Sequence, residues 1–161
     1  MPDLLVSLYA LPPLERHLEP LRQSGVDIRR AIGPEKQLVC EWVTRTFLHS
    51  SWSSECEIAF ARRPVSCLLA LRGDGIIGFY CYEVTFKNFA GPAGVLPRER
   101  RKDIFQALTL RAMHAFRDEG YAYAIVGSTN HASFKASQAI VNARVIEGSD
   151  PGAYAPPLAI G

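Results

Sequence analysis

The sequence predicts a mixed α/β fold in one domain, on three observations. The chain has 161 residues, the usual length of a single domain. Two β-rich runs, 64–71 and 75–84, are joined by Arg72-Gly73-Asp74, and an Asp-Gly pair between such runs is typical of a hairpin. Farther along, a strand, a helix and a strand follow one another, and such a unit connects two parallel neighbours by a crossover. A mixed sheet flanked by helices is therefore expected.

The N-terminal residues predict a strand, a helix and a second strand. Residues 4–11 are rich in Leu, Val and Tyr, the composition of a strand. Pro13 suits the start of a helix, and Gly25 is placed to end it. Residues 26–32 then alternate apolar and polar side chains, as a half-buried strand does. In chain order the remaining sequence predicts helices over 38–47 and 53–61, a strand over 86–95, a helix over 104–117, a strand over 121–126, a helix over 132–141 and a short strand over 144–146.

The composition excludes several classes of protein. Hydrophobic residues make up 48% and charged residues 21% of the chain, unlike a disordered protein. Lys and Arg number 18 against 16 Asp and Glu, so the net charge of +2 gives no general reason to bind nucleic acid. The apolar run at the N-terminus lacks a basic start, and no stretch approaches the ~20 apolar residues that span a bilayer. We expect a cytoplasmic protein with neither a nucleic-acid nor a membrane partner.

The cysteines and histidines predict no metal site. Cys40, Cys56, Cys67 and Cys81 lie in apolar contexts without CxxC spacing, which favours buried free thiols in a reducing compartment over a set of disulfides. The four histidines are scattered, with neither HxxxH nor HExxH spacing. A metal cofactor is therefore not expected.

One segment, residues 95–108, carries a chemical signal. It reads as the end of a strand, a basic loop and the start of a helix. A helix N-terminus offers unpaired backbone N–H groups and the positive end of the helix dipole, and both favour an anion. Arg100, Arg101 and Lys102 add side-chain charge at this point. The segment is interpreted as a phosphate or pyrophosphate cradle, with a solvated basic turn as the alternative.

This layout resembles the GNAT superfamily of acyl-CoA-dependent N-acyltransferases. The resemblance runs from about Cys40 to the end of the chain, and its centre is residues 75–145. It implies a central sheet that is mostly antiparallel, with one parallel pair of strands that splay apart, flanked by helices. Segments 89–95, 118–127 and 145–154 are similar to one bacterial subgroup of the family.

That subgroup carries an extra N-terminal αβ piece, which residues 4–32 resemble. The resemblance therefore implies a single GNAT-like domain, in which residues 1–33 form the extension and residues 34–161 the core.

In this family a loop wraps the CoA pyrophosphate with backbone amides and then opens a helix. Val95 matches the end of the splayed strand, Arg100 the first residue of the loop motif, and Ile104 the helix that follows. Asn130 resembles the Asn that commonly begins the last helix and contacts CoA, with simple capping as the alternative. The resemblance thus implies acetyl-CoA or another acyl-CoA as co-substrate, held by Val95, Arg100, Arg101, Lys102, Asp103, Ile104, Phe105 and Asn130.

Two residues of the loop depart from the family pattern. Asp103 stands where the family has the first glycine of the loop, and Phe105 stands where it has Gly or Ala. Glycine is used there because the backbone must approach a phosphate closely. Asp103 and Gln106 have capping-box spacing, so the Asp103 carboxylate competes for the same N–H groups. Like charges ~4 Å apart repel by about 4 kcal/mol at an effective dielectric constant of ~20.

The resemblance also implies a general base and a general acid. Glu83, in the hairpin strand, lies near the place where the family often has a carboxylate and is the candidate base for an amine; an outward-facing strand residue is the alternative. Ser137 stands near the position of the family's acidic Tyr, and the nearest aromatic, Phe134, has no hydroxyl. Glu55 and Glu57 are weaker candidates for the base, with a role as partners of the helix dipole as the alternative. His131 is a further candidate, with a loop histidine beside a helix cap as the alternative.

Three aromatic residues are candidates for an acceptor pocket: Tyr80, Tyr82 and Phe86. Their alternative is ordinary packing on the pleated surface of a strand. The predicted partner is a small-molecule or carrier-bound acceptor, and a homodimer through edge strands is left open.

The resemblance implies an acyltransferase that moves an acetyl or other acyl group from acyl-CoA to an amine or hydroxyl by direct attack. The alternative is a degenerate GNAT-fold protein that no longer uses CoA and serves as a binding or scaffolding subunit, or acts on another ligand. The replaced residues of the loop and the missing Tyr motivate this alternative.

Overall fold

The computed structural model describes residues 1–48, 50–100, 102–127, 130–154 and 158. Every element that the sequence predicts is found, with ends that shift by a few residues. In chain order the elements are β1 (Leu4–Ser7), α1 (Glu15–Gln23), β2 (Val26–Arg30), α2 (Lys36–Thr46), α3 (Ser50–Ala61), β3 (Cys67–Arg72), β4 (Gly75–Tyr82), β5 (Phe89–Val95), α4 (Lys102–Asp118), β6 (Tyr123–Val126), α5 (His131–Val141) and β7 (Arg144–Val145).

The strands form a seven-stranded sheet with the order β2-β3-β4-β5-β6-β1-β7. The β5–β6 pair is parallel, and the other pairs among the described strands are antiparallel. The parallel pair is connected by α4, as a strand–helix–strand unit requires. The predicted mixed, mostly antiparallel sheet with one parallel pair is confirmed.

Local chemistry explains where several elements begin and end. Gly73 in the β3–β4 turn has φ +58°, and Gly25 after α1 has φ +82°, a region that favours glycine over residues with a Cβ. At the start of α5 the Asn130 side chain accepts a hydrogen bond of 2.9 Å from the Ser133 N–H, which satisfies one of the unpaired donors of the helix.

The helices cover the two faces of the sheet separately. On one face, called here the α4 face, Leu18 of α1, Leu108 of α4 and Ile140 of α5 belong to one buried cluster. On the other, the α3 face, α2 and α3 contribute Val43 and Cys56 to a second cluster. Successive residues of a strand point to opposite faces, and in β4 Phe79 and Cys81 accordingly belong to the cluster on the α3 face, whereas Tyr80 and Tyr82 belong to the cluster on the α4 face.

The N-terminal segment supplies strands at both sides of the sheet. β1 lies between β6 and β7, and β2 pairs with β3 at the opposite edge. Residues 1–33 and residues 34–161 thus contribute to the same sheet.

The four cysteines are buried free thiols. The Sγ atoms of Cys56 and Cys81 lie 3.6 Å apart, a packing contact between α3 and β4. Burial raises the pKa of Cys40 to about 11 and raises that of Cys81 well above its usual value, so both stay protonated near neutral pH. None of the described helices combines the length and the apolar character that a bilayer span needs.

Candidate functional site

The parallel strands β5 and β6 separate soon after they meet. They pair only at Phe89 with Ile125 and at Ala90 with Val126, and β5 then continues to Val95. Gly91 has φ +113°, and the next residue, a proline, has no N–H to donate to a ladder. The chain therefore leaves β6 at this point and opens a gap between two neighbouring strands.

The backbone of β5 presents polar groups to this gap. The Leu96 N–H donates to the carbonyl of Ile77 in β4 over 2.8 Å, so Leu96 and Ile77 are a hydrogen-bonded pair of the antiparallel ladder. Hydrogen-bonded and non-bonded pairs alternate along an antiparallel ladder. The N–H and C=O groups of Ala93 and Val95, whose β4 partners are Tyr80 and Gly78, therefore point away from β4 and toward the gap.

A cavity of about 390 Å³ lies at the gap and is lined from both faces of the sheet. Phe47 and Trp52 line it on the α3 face. The loop before α4, the first turn of α4 and the first turns of α5 line it on the α4 face. Its lining consists of Phe47, Trp52, Ala93, Gly94, Val95, Arg100, Phe105, Asn130, Ala132, Ser133 and Ala136.

On the α3 face the cavity is bounded by aromatic rings. The Phe47 ring lies so close to Gly94 that a Cβ at this position would stand 2.5 Å from the ring. The centroid of Trp52 lies 5.2 Å from that of Phe47. The bare backbone of Gly94 is thus what lets an aromatic wall approach β5.

On the α4 face the basic loop reaches the cavity. The Arg100 Nε donates to the Val95 carbonyl over 3.4 Å, and the Arg100 side chain lines the cavity. The Phe105 ring turns toward the core, with its centroid 6.1 Å from that of Tyr80, and forms one wall. Asp103 is exposed, and its Oδ1 accepts from the Ile104 N–H over 3.1 Å. Ile104 itself is fully buried in the core.

Part of the predicted anion site lies outside the described residues. Arg101 lies outside the described residues, and of Lys102 only the backbone, at the first position of α4, is described.

No family model matches the sequence, and no curated protein matches it. Solved structures do match. The GCN5-related glucosamine N-acetyltransferase region of a fungal multi-domain beta-N-acetylglucosaminidase superposes over 90% of this chain with a TM-score of 0.70 at 14% identity. A GCN5-related N-acetyltransferase from Sphaerobacter thermophilus matches over 90% with a TM-score of 0.61 at 17% identity.

A GCN5-related N-acetyltransferase-like protein from Streptococcus suis matches over 90% of the chain with a TM-score of 0.57 at 11% identity. The chain has the GNAT fold. It spans 19%, 48% and 58% of the lengths of these three proteins, in the order given. At such identities the likeness concerns the fold.

Within this GNAT fold Glu83 is not among the residues that line the cavity. Its side chain is 3% exposed, and its carboxylate is bound by the Arg62 guanidinium and the Tyr121 hydroxyl. The Asn88 N–H donates to it over 3.3 Å. These partners hold the carboxylate inside the protein at the end of β4, because Glu83 follows directly on that strand. Its role as a base is not supported by this position.

Ser137 also lies outside the cavity lining. It is 1% exposed, and its Oγ is buried without a hydrogen-bond partner in the described part of the chain. Ser133 and Ala136 of the same helix line the cavity instead. The helical repeat turns Ser137 toward the core, which sequence spacing alone did not reveal.

Two of the three candidate acceptor residues belong to the core. Tyr80 is 2% and Tyr82 0% exposed, and both pack in the cluster on the α4 face. The Tyr82 hydroxyl accepts from Arg30 over 2.5 Å. Packing, the alternative interpretation, therefore describes these two side chains. Phe86 is different, because it is 41% exposed.

Phe86 belongs to a group of three rings, called here the aromatic triad: Phe86, Phe89 and Tyr154. Their centroids lie 5.2 Å (Phe86–Phe89), 5.5 Å (Phe86–Tyr154) and 6.0 Å (Phe89–Tyr154) apart. Because Ala90 belongs to the cluster on the α4 face, its neighbour Phe89 points to the α3 face, and so does the triad. The sequence did not indicate Tyr154, which comes from the segment after β7.

Glu55 of α3 lies beside this triad. Its carboxylate accepts from the Thr85 hydroxyl over 2.7 Å, next to Phe86 in the chain. Burial raises the pKa of Glu55. The pKa of Tyr154 is raised to about 12 by burial, and next by the nearby negative charges of Glu55 and Asp3. His131, the first residue of α5, is exposed and is not among the lining residues.

Proposed function

We propose that the chain is an acyltransferase that moves an acetyl group from acetyl-CoA to an amine by direct attack. One observation carries the proposal: a cavity opens where β5 leaves β6, and the backbone groups of Ala93 and Val95 face it. The N-acetyltransferases among the similar structures support the same assignment.

The residues at the gap suit the long arm of acyl-CoA. That arm contains amide groups, which pair with an unpaired strand edge as another strand does. Ala93 and Val95 would hold it. Arg100, at the mouth on the α4 face, would attract phosphate. The volume of about 390 Å³ falls in the range of roughly 300–1,000 Å³ that is common for small-molecule sites.

The loop before α4 is less suited to the phosphates of acyl-CoA than β5 is to the amide-containing arm. Phe105 is accommodated, because its ring packs toward Tyr80 instead of over the helix N-terminus. Asp103 competes, because its carboxylate occupies the Ile104 N–H and places a negative charge at the same helix end. We expect donor binding that is weaker than a glycine-rich loop would give.

The lining favours direct attack over an acyl-enzyme. None of the described lining residues is a Cys, His or Lys, and the hydroxyl of Ser133 has no Asp, Glu or His beside it in the described lining to activate it as a nucleophile. The four thiols are buried away from the cavity. The Val95 N–H points into the gap and is placed to stabilise the negative charge that develops on the thioester oxygen.

A second candidate function is a binding protein of GNAT fold that has lost CoA. The observation that favours it is the hydrogen bond within the chain from the Ile104 N–H to Asp103, at the helix end that an anion would use.

Calorimetric titration with acetyl-CoA separates the two functions. We expect saturable binding by the natural protein and its loss in Ala136→Trp, because the indole would fill the cavity that Ala136 lines. Ala139→Trp is the matched control, since Ala139 is exposed on the same helix and outside the lining. Absence of binding at millimolar acetyl-CoA would favour the second function.

A further inference from the structure

The cavity at the end of β5 keeps its aromatic side chains apart from its polar ones. Arg100, Asn130 and Ser133 line it on the α4 face. On the α3 face the described lining consists of the half-buried rings of Phe47 and Trp52. An acceptor that is rich in hydroxyl groups, such as an amino sugar, finds few side-chain partners against these rings, whereas a flat apolar body fits them.

The two lining rings are supported by further rings behind them. Phe79 of β4 is fully buried, and its centroid lies 5.5 Å from that of Phe47 and 5.8 Å from that of Trp52. The centroid of Trp42 lies 5.6 Å from that of Phe47. These contacts fix the rings of Phe47 and Trp52, so an aromatic ligand packs on them with little loss of side-chain freedom.

No carboxylate of the described residues lines the cavity. All 16 Asp and Glu residues of the chain lie in the described part, and none of them is in the lining. The one ionisable side chain of the described lining is Arg100, which is already protonated. An aromatic ring attracts an ammonium group but cannot accept its proton. The described lining therefore offers an alkylammonium ion no group that can take its proton before attack.

The protonation state of the acceptor nitrogen is thus decisive. An alkylamine with the pKa of a lysine side chain, about 10.4, is only about one-thousandth neutral at pH 7.4. An arylamine or an arylhydrazine is neutral at this pH, because the ring or the adjacent nitrogen lowers its basicity. Such a nitrogen attacks a thioester without first losing a proton, so it needs no general base.

We propose that the acceptor is an aromatic amine or hydrazine that is neutral near pH 7, and that its ring packs on Phe47 and Trp52. This inference rests on the proposed function and names the class of its acceptor. Gly94 brings the ring site next to the β5 backbone, because a Cβ on Gly94 would stand 2.5 Å from the Phe47 ring. The acceptor nitrogen thereby lies close to the strand that is proposed to hold the thioester.

The transfer balances without a base from the protein. The neutral nitrogen attacks the thioester carbon, a C–N bond forms and the C–S bond breaks. The electron pair of the C–S bond leaves with the sulfur, and the proton that the nitrogen loses passes through solvent to the thiolate. The products are the acetylated amine or hydrazine and CoA thiol, with no net release of a proton.

The test compares two acceptors of nearly equal shape on the natural protein. Phenylhydrazine has an NH group where benzylamine has a CH2 group, and near pH 7 the first is neutral and the second is an ammonium ion. Free CoA formed from acetyl-CoA is separated by chromatography and measured, and the rate without protein is subtracted. We expect kcat/KM at pH 7.4 to be roughly 100-fold higher for phenylhydrazine, because most of the benzylamine is protonated.

The pH profile at saturating acetyl-CoA shows whether a protein base takes part. Between about pH 6.5 and 8.5, kcat/KM for phenylhydrazine should stay constant. For benzylamine it should rise about tenfold per pH unit, as the neutral amine becomes more abundant. An acidic limb in the profile for phenylhydrazine would reveal a base and overturn the inference.

A substitution tests where the ring of the acceptor binds. Trp52→Leu should raise the KM for phenylhydrazine about tenfold and leave the acetyl-CoA affinity unchanged, because the indole is part of the lining on the α3 face. Ile58→Ala is the matched control, since Ile58 is exposed on the same helix and outside the lining. An unchanged KM in Trp52→Leu would contradict the ring site.

The outcomes separate the two proposals. Acetyl-CoA binding without transfer to phenylhydrazine, or with faster transfer to benzylamine or to glucosamine, would overturn the acceptor class and leave the acyltransferase standing. Failure to bind acetyl-CoA would overturn the acyltransferase and, with it, the acceptor class.

Discussion

The ring of Tyr154 lies directly on the backbone of Gly127, where β6 ends: a Cβ on Gly127 would stand 2.5 Å from the ring. The segment that carries Tyr154 is fastened to the N-terminus, because Asp3 accepts the Ala153 N–H over 2.9 Å. Asp150 also pairs with the terminal amine at 3.0 Å. The residues before β1 thus hold the segment that carries Tyr154 against the end of β6.

Gly127→Ala should displace the Tyr154 ring from the end of β6. Overpacking of this kind costs about 1–3 kcal/mol of unfolding free energy. Urea unfolding measures this loss, and an unchanged free energy of unfolding would contradict the contact.

The double variant with Tyr154→Ala is the control for this contact. Because the Cβ then meets no ring, adding Gly127→Ala to Tyr154→Ala should cost little further stability. Equal costs of Gly127→Ala in both backgrounds would show that the ring is not what excludes a side chain.

Asp103→Asn should tighten acetyl-CoA binding by about tenfold, because it removes a negative charge from the helix end next to Arg100. The gain should shrink as salt is added, since the groups are exposed. Asp118→Asn, at the opposite end of α4, changes the net charge equally and should leave the affinity unchanged. Equal effects of the two variants would remove Asp103 from the donor site.

Glu83→Gln should act on stability. It leaves the Arg62 guanidinium without its carboxylate partner in a site where Glu83 is 3% exposed, and breaking such a buried pair costs about 3–5 kcal/mol. Chemical denaturation gives this value, with Glu15→Gln in an exposed ion pair as the control that should change little. Unchanged stability with a large fall in kcat would restore Glu83 as the base.

The raised pKa of Glu55 predicts how stability depends on pH. A folded protein that binds this proton more tightly than the unfolded chain is favoured below the folded-state pKa and loses that advantage as pH rises through it. Wild type should therefore lose stability relative to Glu55→Gln as pH rises above about 4.5, the usual value for Glu. Urea unfolding across this range measures the difference, and a pH-independent difference would contradict it.

The sequence predicted those parts of the fold that have local signals. The hairpin follows from Gly73 and Asp74, and the start of α5 from the capping side chain of Asn130. The hairpin and the start of α5 depend on residues close together in the chain. The cavity at the end of β5 agrees with the splay that the resemblance to the GNAT superfamily implied, and Arg100 lines it.

Contacts between residues far apart in the chain could not be predicted from the sequence. Glu83 meets Arg62 and Tyr121, which are separated from it by 21 and 38 positions. The spacing of apolar and polar residues carries no information about this contact. The sequence alone therefore did not distinguish a buried, paired Glu83 from a carboxylate that is free to act as a base. Likewise, the sequence shows Phe47 only as the last apolar residue of the helix predicted over 38–47. In the structure its ring bounds the cavity over Gly94.

The central claim is that the free edge of β5 binds the acyl-CoA arm, and backbone NMR tests it most directly. Titration of the ¹⁵N-labelled protein with acetyl-CoA should give the largest amide shifts at Ala93 and Val95, with smaller shifts at Arg100. Unchanged Ala93 and Val95 signals at millimolar acetyl-CoA, or shifts confined to residues away from the gap, would contradict the account.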